Sequence, residues 1–333
     1  MSDPGTERAT LLLCRAWKAR QSELSFVTRS VAGAASRTSQ VTVVVPAPAG
    51  KTEPDGAFDL FGTGVGREGA WPTPADAAWP AQLPEDATII VDEPDYATLG
   101  ILDKFAPGHA VRAISSVGAD VRSVTPFAFT GPSDDGAPDL ICLHVPINRM
   151  AATHRHNGLG FTGYLLVLSD RTGSPDASPP TAMVAWLTAR FPGDNVVVVE
   201  GATAAVWRGR VLRGVVPVYT RTDLWRLLAH AHVTIDLAPG RIIARECIES
   251  LRFGTPIVVP TQSTARPHAR AGGGMTFSGY SELLACVTRL ADESVRTTLS
   301  VDGRRYADAR YGDQQFFVDS VTRALGAPIT SGR

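Results

Sequence analysis

The sequence has almost no net charge. Lys and Arg together number 32 against 33 Asp and Glu, so the formal net charge is −1 over 333 residues. A protein that binds nucleic acid needs a basic excess to neutralise phosphates. The balance therefore argues against a nucleic-acid binder, although scattered arginines leave room for local anion sites.

Cysteine is also scarce. Four residues, Cys14, Cys142, Cys247 and Cys286, lie far apart in apolar segments and form no CxxC pair. This spacing predicts buried free thiols rather than a disulfide framework. His154 has only one nearby histidine partner and no further ligands at suitable spacing, so no metal site is predicted.

Long apolar segments are missing too. The apolar runs fall far short of the ~20 residues that cross a bilayer. The first ten residues contain no basic stretch followed by an apolar one, as a signal peptide would. We therefore expect a cytoplasmic protein without a transmembrane segment, and peripheral membrane contact stays open.

The sequence does contain a regular alternation of short apolar runs and helical stretches. This alternation is typical of βαβ units and parallel sheets, and the length suits two domains. In the first half, the expected elements are the strands Thr10–Cys14, Val41–Pro46, Thr88–Asp92, His109–Ser115 and Asp139–Val145, with helices at Glu23–Ser36 and Tyr96–Phe105.

Two irregular segments interrupt the pattern. Residues 47–85 are rich in Pro, Gly, Ala and Asp and predict a long surface excursion. Inside it, Gly62–Gly66 reads Gly-Thr-Gly-Val-Gly, which we interpret as a turn rather than a phosphate loop, because no clear strand precedes it. The polar segment Arg149–Gly163 predicts a hinge between two domains.

The second half repeats the architecture. The expected strands are Tyr164–Ser169, Asn195–Glu200, Val215–Tyr219, His232–Leu237 and Pro256–Pro260, with helices at Pro180–Phe191, Thr222–Ala231 and Ile242–Phe253 and mostly helix thereafter. In the last of the named helices, Ile243, Cys247 and Leu251 have the spacing of a buried face. Gly254 is expected to end that helix.

The segment Ile248–Val259, together with the residues before it, resembles the nucleotide-binding segment of retaining GT-B glycosyltransferases, above all glycosyltransferase family 4. That family carries the pattern EGFGxxxLEAxAxGxPVV. The resemblance implies an α/β fold with two Rossmann-like domains facing each other across a cleft. Residues 1–150 would form the acceptor-side domain, 151–310 the nucleotide-sugar domain, and 311–333 a helix crossing back toward the first domain.

The resemblance also implies roles for individual residues. Glu249 matches the second Glu of the pattern, which accepts hydrogen bonds from the donor ribose. The first Glu of the pattern falls on Arg241, and an Arg there would bind the donor diphosphate beside a helix N-terminus. Arg171 and Arg245 are further candidates for the diphosphate. The Gly run containing Gly273 either cradles an oxyanion or forms a plain turn.

Other implied contacts concern the acceptor and the chemistry. The acceptor-side candidates are Lys18, Arg20 and His109, and no catalytic residue is identified. The expected function is transfer of a sugar from a nucleoside diphosphate sugar to an unknown acceptor, with retention and without a metal or other cofactor. Two alternatives stay open: a catalytically inactive GT-B-like binding protein, and an enzyme like the nucleotide-sugar 2-epimerases.

Overall fold

The chain divides into two compact units. A computed structural model describes residues 8–13, 23–37, 39–45, 59–62, 87–92, 102, 109–114, 125–126, 143–150, 159–169, 181–200, 202–237 and 243–326. The first unit comprises Met1–Leu143 with Gln314–Arg333, and the second comprises His144–Asp313.

The first unit contains a six-stranded parallel sheet. Its strands are β1 (Arg8–Leu13), β2 (Ser39–Val45), β3 (Asp59–Gly62), β4 (Thr88–Asp92), β5 (Ala110–Ile114) and β6 (Thr125–Pro126). Their order in the sheet is β3-β2-β1-β4-β5-β6, and every pairing is parallel. In β4 the consecutive residues Ile89, Ile90 and Val91 are all buried, as expected for a strand that is covered on both faces.

One helix of the first unit follows β1, and another comes from the far end of the chain. Helix α1 (Glu23–Ala35) buries Val27 and Val31, which are four residues apart and so share a face. The C-terminal helix (Gln314–Gly326) packs against α1. Its buried Phe317, Val318 and Val321 supply the apolar face. Both ends of the chain therefore contribute to this unit.

The second unit contains a seven-stranded mixed sheet. Its strands are β7 (Tyr164–Leu168), β8 (Asn195–Glu200), β9 (Thr203–Arg208), β10 (Val211–Pro217), β11 (Ala231–Asp236), β12 (Ile257–Pro260) and β13 (Gly274–Phe277). Their order is β10-β9-β8-β7-β11-β12-β13. Strand β9 runs antiparallel to both of its neighbours, and the remaining pairs are parallel.

The helices of the second unit connect these strands. They are α2 (Thr181–Arg190), α3 (Arg221–His230), α4 (Arg245–Phe253), the single turn α5 (Arg266–His268), which continues into a π-helix (Ala269–Gly273), α6 (Tyr280–Ala291) and α7 (Glu293–Tyr311). The C-terminal helix of the first unit follows as α8. Helix α3 begins with a capping box between Thr220 and Asp223, and α4 ends at Gly254, whose φ of 85° suits glycine.

Strand β7 lies at the centre of the second unit, and its five residues are all buried. Leu165 and Val167 pack on one face with residues of α2 and α6. Tyr164, Leu166 and Leu168 pack on the other face with α3. Each fully buried aliphatic side chain stabilises the fold by about 1.5–3 kcal/mol. Helices on both faces of the sheet explain why this strand is apolar throughout.

Several expected elements differ from the observed ones. Four strands were not expected: β3, which lies within the segment predicted as a loop, the two-residue β6, β9 and β13. Strand β3 directly precedes Thr63, so the argument that no strand comes before the Gly-Thr-Gly-Val-Gly run was wrong. Both β3 and β13 have only four residues, and β10, the partner of β9, is largely exposed. Short or exposed strands give weak periodicity.

The strand expected at Asp139–Val145 is not seen in its described part. Residues 143–148 have no regular structure. Instead the N–H of Val145 donates to the carbonyl of Tyr311 (3.0 Å), and its carbonyl accepts from Arg252. These bonds to α7 and α4 replace strand pairing. The helix expected at Tyr96–Phe105 falls outside the described residues, apart from Leu102.

The division into domains at residues 150 and 310 stays a prediction. The described strands between residues 8 and 126 all belong to the first sheet, and those between residues 164 and 277 all belong to the second. The expected hinge Arg149–Gly163 is described only at its two ends, residues 149–150 and 159–163.

Candidate functional site

The N-termini of α3 and α4 lie at the same edge of the second sheet. Strand β10 runs in the same direction as β8, because two antiparallel steps separate them, and β11 is parallel to β7. Helix α3 follows β10, and α4 follows β11. Both helices therefore begin at the carboxyl edge of the parallel strands, where open α/β sheets bind ligands.

Four charged side chains meet at this edge, and we call them the Arg–Glu cluster: Arg221, Arg245, Glu246 and Glu249. Oε1 of Glu249 accepts from Nε of Arg221 (2.9 Å) and from Nε of Arg245 (3.0 Å). Its Oε2 accepts from Nη2 of Arg221 (2.5 Å). Arg221 also donates from Nη1 to Oε1 of Glu246 (2.7 Å). One arginine thus bridges two carboxylates from the neighbouring helix.

The cluster has a buried end and an accessible end. The side chain of Glu249 is 0% exposed and that of Glu246 11%, whereas Arg245 is 16% and Arg221 25% exposed. Burial alone would lower the pKa of Arg221, but Glu249 and Glu246 outweigh it and raise that pKa. For Arg245, burial and the nearby Arg221 lower the pKa despite Glu249. Charges partly removed from water need such pairing to be tolerated.

The turn that opens α4 has an unusual backbone. Ala244, the N-cap residue, has φ 51° and ψ 56°, a left-handed conformation, and it provides no side-chain cap. It is the one non-glycine residue with positive φ among the residues described. Such a conformation costs roughly 1–2 kcal/mol in a residue with a Cβ, so the surrounding structure has to hold it.

A buried histidine holds this turn. Nε2 of His268 lies 3.0 Å from the carbonyl of Ile243, and Nδ1 lies 2.9 Å from the hydroxyl of Tyr306. Burial lowers the pKa of His268 to about 4, so the ring is neutral at pH 7. The neutral ring donates from Nε2 to the carbonyl and accepts the Tyr306 hydroxyl at Nδ1.

The body of α4 is fixed to β11 by polar contacts. The thiol of Cys247 donates to Oδ2 of Asp236 (3.2 Å), and both residues are fully buried. The hydroxyl of Ser250 lies 2.8 Å from that of Thr234. The helix α4, which carries Arg245, Glu246 and Glu249, is therefore held against β11 by these two hydrogen bonds.

The structure brings together two of the predicted donor-site residues, Arg245 and Glu249. Gly273 lies elsewhere. It precedes β13, whose Gly274 pairs with Ile257 at the amino end of β12, and it approaches Leu251 in the last turns of α4. Its role as a donor contact stays a prediction, and its position favours close packing of the backbone.

The other candidates are not seen beside the cluster. Arg171, Arg241, Lys18 and Arg20 lie outside the described residues. His109 is half-buried and directly precedes β5 in the first unit. Their suggested contacts with donor and acceptor stay predictions.

Arg221, which connects the cluster, was not among the residues predicted from the sequence. The expected helix began at Thr222, so Arg221 fell within the connection before it. The spacing of Thr220 and Asp223, with an acidic residue three positions after a threonine, is the signal of a capping box and would have placed Arg221 in the first turn. The roles of Asp236 and His268 had no comparable signal.

No group of three or more His, Cys, Asp or Glu side chains in the described part of the chain could hold a metal ion. Among the helices seen here, none combines the length and apolarity needed to cross a membrane. Cys247 and Cys286 are buried free thiols, while Cys14 and Cys142 lie outside the described residues.

A pocket of about 350 Å³ lies at the opposite, amino edge of the second sheet. Its lining includes Gly163, Asp194, His232, Thr288 and Arg296. His232 is near the start of β11, and the cluster lies beyond the other end of that strand. A six-residue strand spans roughly 20 Å, so this pocket is separate from the cluster.

Comparison with known proteins identifies the fold. No family model and no curated protein matches the sequence. Solved glycosyltransferase structures match nearly the whole chain. HepE from Anabaena, in complex with UDP and glucose, shares 14% identity over 96% of this chain and 99% of its own, with a TM-score of 0.58. The chain has the GT-B fold.

Two further structures agree on the GT-B fold. Sucrose-phosphate synthase from Thermosynechococcus elongatus is 12% identical over 95% of this chain and 98% of its own, with a TM-score of 0.58. Trehalose 6-phosphate synthase from Burkholderia multivorans is 13% identical over 96% and 98%, with a TM-score of 0.59. At such identities the likeness concerns the fold, and function has to be argued from the site.

Proposed function

We propose that this protein is a glycosyltransferase that binds a nucleoside diphosphate sugar at the carboxyl edge of its second unit. The observation that carries the proposal is the Arg–Glu cluster. It holds two guanidinium groups, in Arg221 and Arg245, at the edge of the sheet where α/β folds bind ligands. The GT-B fold is shared with HepE, which was solved in complex with UDP and glucose.

The chemistry of such a transfer suits this arrangement. As the sugar leaves, negative charge builds on the diphosphate, and fixed positive groups stabilise that charge. Arg245 opens α4, and this helix begins without a side-chain cap, so its N-terminal dipole also favours an anion. Both arginines are held in place before a ligand arrives, which reduces the reorganisation required during the reaction.

Finer assignments belong to the same proposal. We propose that the first unit binds the acceptor, with Lys18, Arg20 and His109 as candidate contacts. Arg171 and Arg241 would complete the diphosphate site. On the strength of the sequence resemblance and composition we also propose retention, transfer without a metal and a cytoplasmic location.

A second candidate function is a binding protein without transfer activity. One observation favours it: the carboxylate of Glu249 is buried and already paired with two arginines. In the family pattern the corresponding Glu binds the ribose. A pairing of Glu249 with arginines is the arrangement expected of a protein that keeps the fold and a nucleotide site but has lost the catalytic geometry.

A thermal-shift screen tests the proposal. The full chain is heated with UDP, GDP or ADP and with their glucose conjugates, and with the free nucleosides as matched controls. A ligand at 100 times its Kd adds about 2.7 kcal/mol to stability. We expect one diphosphate series to stabilise the protein and its nucleoside to do much less.

A product assay then separates the two candidate functions. The selected nucleotide sugar is incubated with mixed sugar acceptors, and released nucleoside diphosphate is measured. Release that depends on an acceptor supports transfer, whereas binding without release supports the binding protein. If no nucleotide or nucleotide sugar shifts the melting temperature, the donor site is wrong.

A further inference from the structure

The order in which a ligand would meet the cluster is set by burial. The side chain of Arg221 is 25% exposed, whereas that of Glu249 is 0% exposed. A ligand entering from solvent therefore reaches a guanidinium first. To touch the carboxylate, it would have to displace the arginine that covers it.

The carboxylate of Glu249 also has few acceptor positions left. Two oxygens offer about four lone-pair positions. Oε1 already accepts two N–H groups, one from Arg221 and one from Arg245, and Oε2 accepts one from Arg221. A ribose diol bound through both oxygens needs one position on each. Oε1 has none, so Glu249 cannot bind the diol in that manner in this conformation.

Arg221, in contrast, still has donors to offer. A guanidinium carries five N–H groups. Three of them bind the two glutamates, through Nε, Nη1 and Nη2. Within the described residues this leaves one N–H on each terminal nitrogen. Neighbouring N–H groups on a planar guanidinium match the spacing of phosphate oxygens, which makes arginine suited to a diphosphate.

The glutamates have a consistent role in this arrangement. A flexible arginine loses rotamer freedom when it binds an anion, and prior fixation reduces that loss. Glu249 holds Arg221 through two bonds on one side, and Glu246 holds it through a third. The two carboxylates thus fix the position of the Arg221 guanidinium.

We infer that Arg221 is a direct contact of the donor diphosphate, and that Glu249 is its buried counter-ion rather than a ribose ligand. This inference rests on the proposed function. It adds to the donor site a residue that the family pattern does not identify, and it makes Glu249 a positioning residue.

The first test varies the ligand and Arg221 together. Calorimetry on the full chain measures binding of UDP, UMP and uridine, or of the guanosine or adenosine series if the screen selects that base. Arg221→Gln should weaken binding of the diphosphate about 10-fold or more, that of the monophosphate less, and that of the nucleoside hardly at all. Arg221→Lys, which keeps the charge, should be intermediate and provides a milder variant if Arg221→Gln does not fold.

Arg226→Gln is the matched control. Arg226 lies five residues later on the same helix and pairs with Asp223 at 3.4 Å. The Arg226→Gln variant should bind UDP, UMP and uridine with the same affinities as the unmodified protein. Equal weakening of diphosphate, monophosphate and nucleoside by Arg221→Gln, or no weakening of any, would overturn the assignment of Arg221.

The second test addresses Glu249. The preference for UDP over 2′-deoxy-UDP is compared between the unmodified protein and Glu249→Gln. A direct ribose contact predicts that the substitution abolishes the preference. The counter-ion role predicts that the preference stays the same, whatever happens to the absolute affinity. Loss of the preference in a folded variant would show that Glu249 does bind ribose.

Inorganic pyrophosphate separates this inference from the proposed function. If no nucleotide binds, but pyrophosphate binds and Arg221→Gln weakens it about 10-fold or more, the glycosyltransferase proposal fails and Arg221 stands as an anion contact. If nucleotides bind but Arg221→Gln leaves UDP and pyrophosphate unaffected, the function stands and the inference fails. If neither nucleotides nor pyrophosphate bind, the glycosyltransferase proposal and the assignment of Arg221 are both wrong.

Discussion

Acidification should act on the turn that opens α4 through His268. The buried ring donates to the carbonyl of Ile243, next to the left-handed Ala244. Burial lowers its pKa from 6.5 to about 4. Because the pKa of His268 is lower in the folded protein than in the unfolded chain, the site favours folding most where the ring is neutral in both the folded and the unfolded protein. Its contribution is complete above pH 6.5.

The sign and the size of the effect follow from proton linkage. As the pH is lowered below 6.5, the unfolded chain takes up a proton at this site before the folded chain does. The free energy of unfolding therefore decreases as the pH decreases. The slope approaches 1.36 kcal/mol per pH unit, and it ends near pH 4, where the folded protein also binds the proton. The total loss is about 3 kcal/mol, from a domain stability that is typically 5–15 kcal/mol.

Urea denaturation between pH 4 and 8 measures this effect, with His268→Gln as the comparison. The variant cannot titrate at this position and should be less stable at pH 7.5, because it loses well-placed hydrogen bonds. Its disadvantage should shrink steadily below pH 6.5. Burial also lowers the pKa of His232, but this side chain is exposed, so His232→Gln should show the same trend at a smaller size. Parallel stability curves for the unmodified protein and His268→Gln would refute the linkage.

Three further predictions concern stability and reactivity. Glu249→Ala should destabilise the protein by about 3–5 kcal/mol in urea denaturation, because the partly buried guanidiniums of Arg221 and Arg245 lose the carboxylate they share and Arg221 keeps only Glu246, and a change below 1 kcal/mol would contradict the burial of the cluster. Gly254→Ala should cost at least about 1–2 kcal/mol by the same measurement, since φ is 85° there and an added Cβ would also meet the side chains of Ser300 and Arg304, and a neutral effect would contradict that geometry. Burial and the nearby Glu282 raise the pKa of Cys286, so site-resolved alkylation should be slower than for a free thiol at pH 8 and should accelerate above pH 9; a fast reaction at pH 7 would disagree.

The sequence predicted much of the second unit and less of the first. Strands such as Asn195–Glu200 are long, apolar and flanked by turns, and the observed β8 has the same limits. The α/β class followed from this alternation, and the GT-B fold was implied by the resemblance of the block at Ile248–Val259 to a known family. Strand β3, in contrast, contains only Asp59–Gly62, and four residues in a segment rich in Pro and Gly show no usable period.

The start of α4 shows why some boundaries could not be predicted. Apolar spacing extends the helix back to Ile242, yet the observed helix begins at Arg245. The cause is Ala244, whose left-handed backbone breaks the helix, and whose conformation is supported by the contact of His268 with Ile243. His268 lies 25 residues further along the chain, so no local pattern records the contact.

The candidate site has the same limit, because spacing identifies a residue but not what contacts it. Glu249 stands where the family pattern places a ribose ligand, and on one helix nothing distinguishes the two roles. The difference comes from Arg221, 28 residues earlier, which α3 brings against α4. A carboxylate can serve a diol or two guanidiniums, and the number of acceptor positions decides between them. In this protein three are taken, both on Oε1 and one on Oε2, so Glu249 cannot bind a diol through both oxygens, and this is why we infer that it acts on a donor through the arginines.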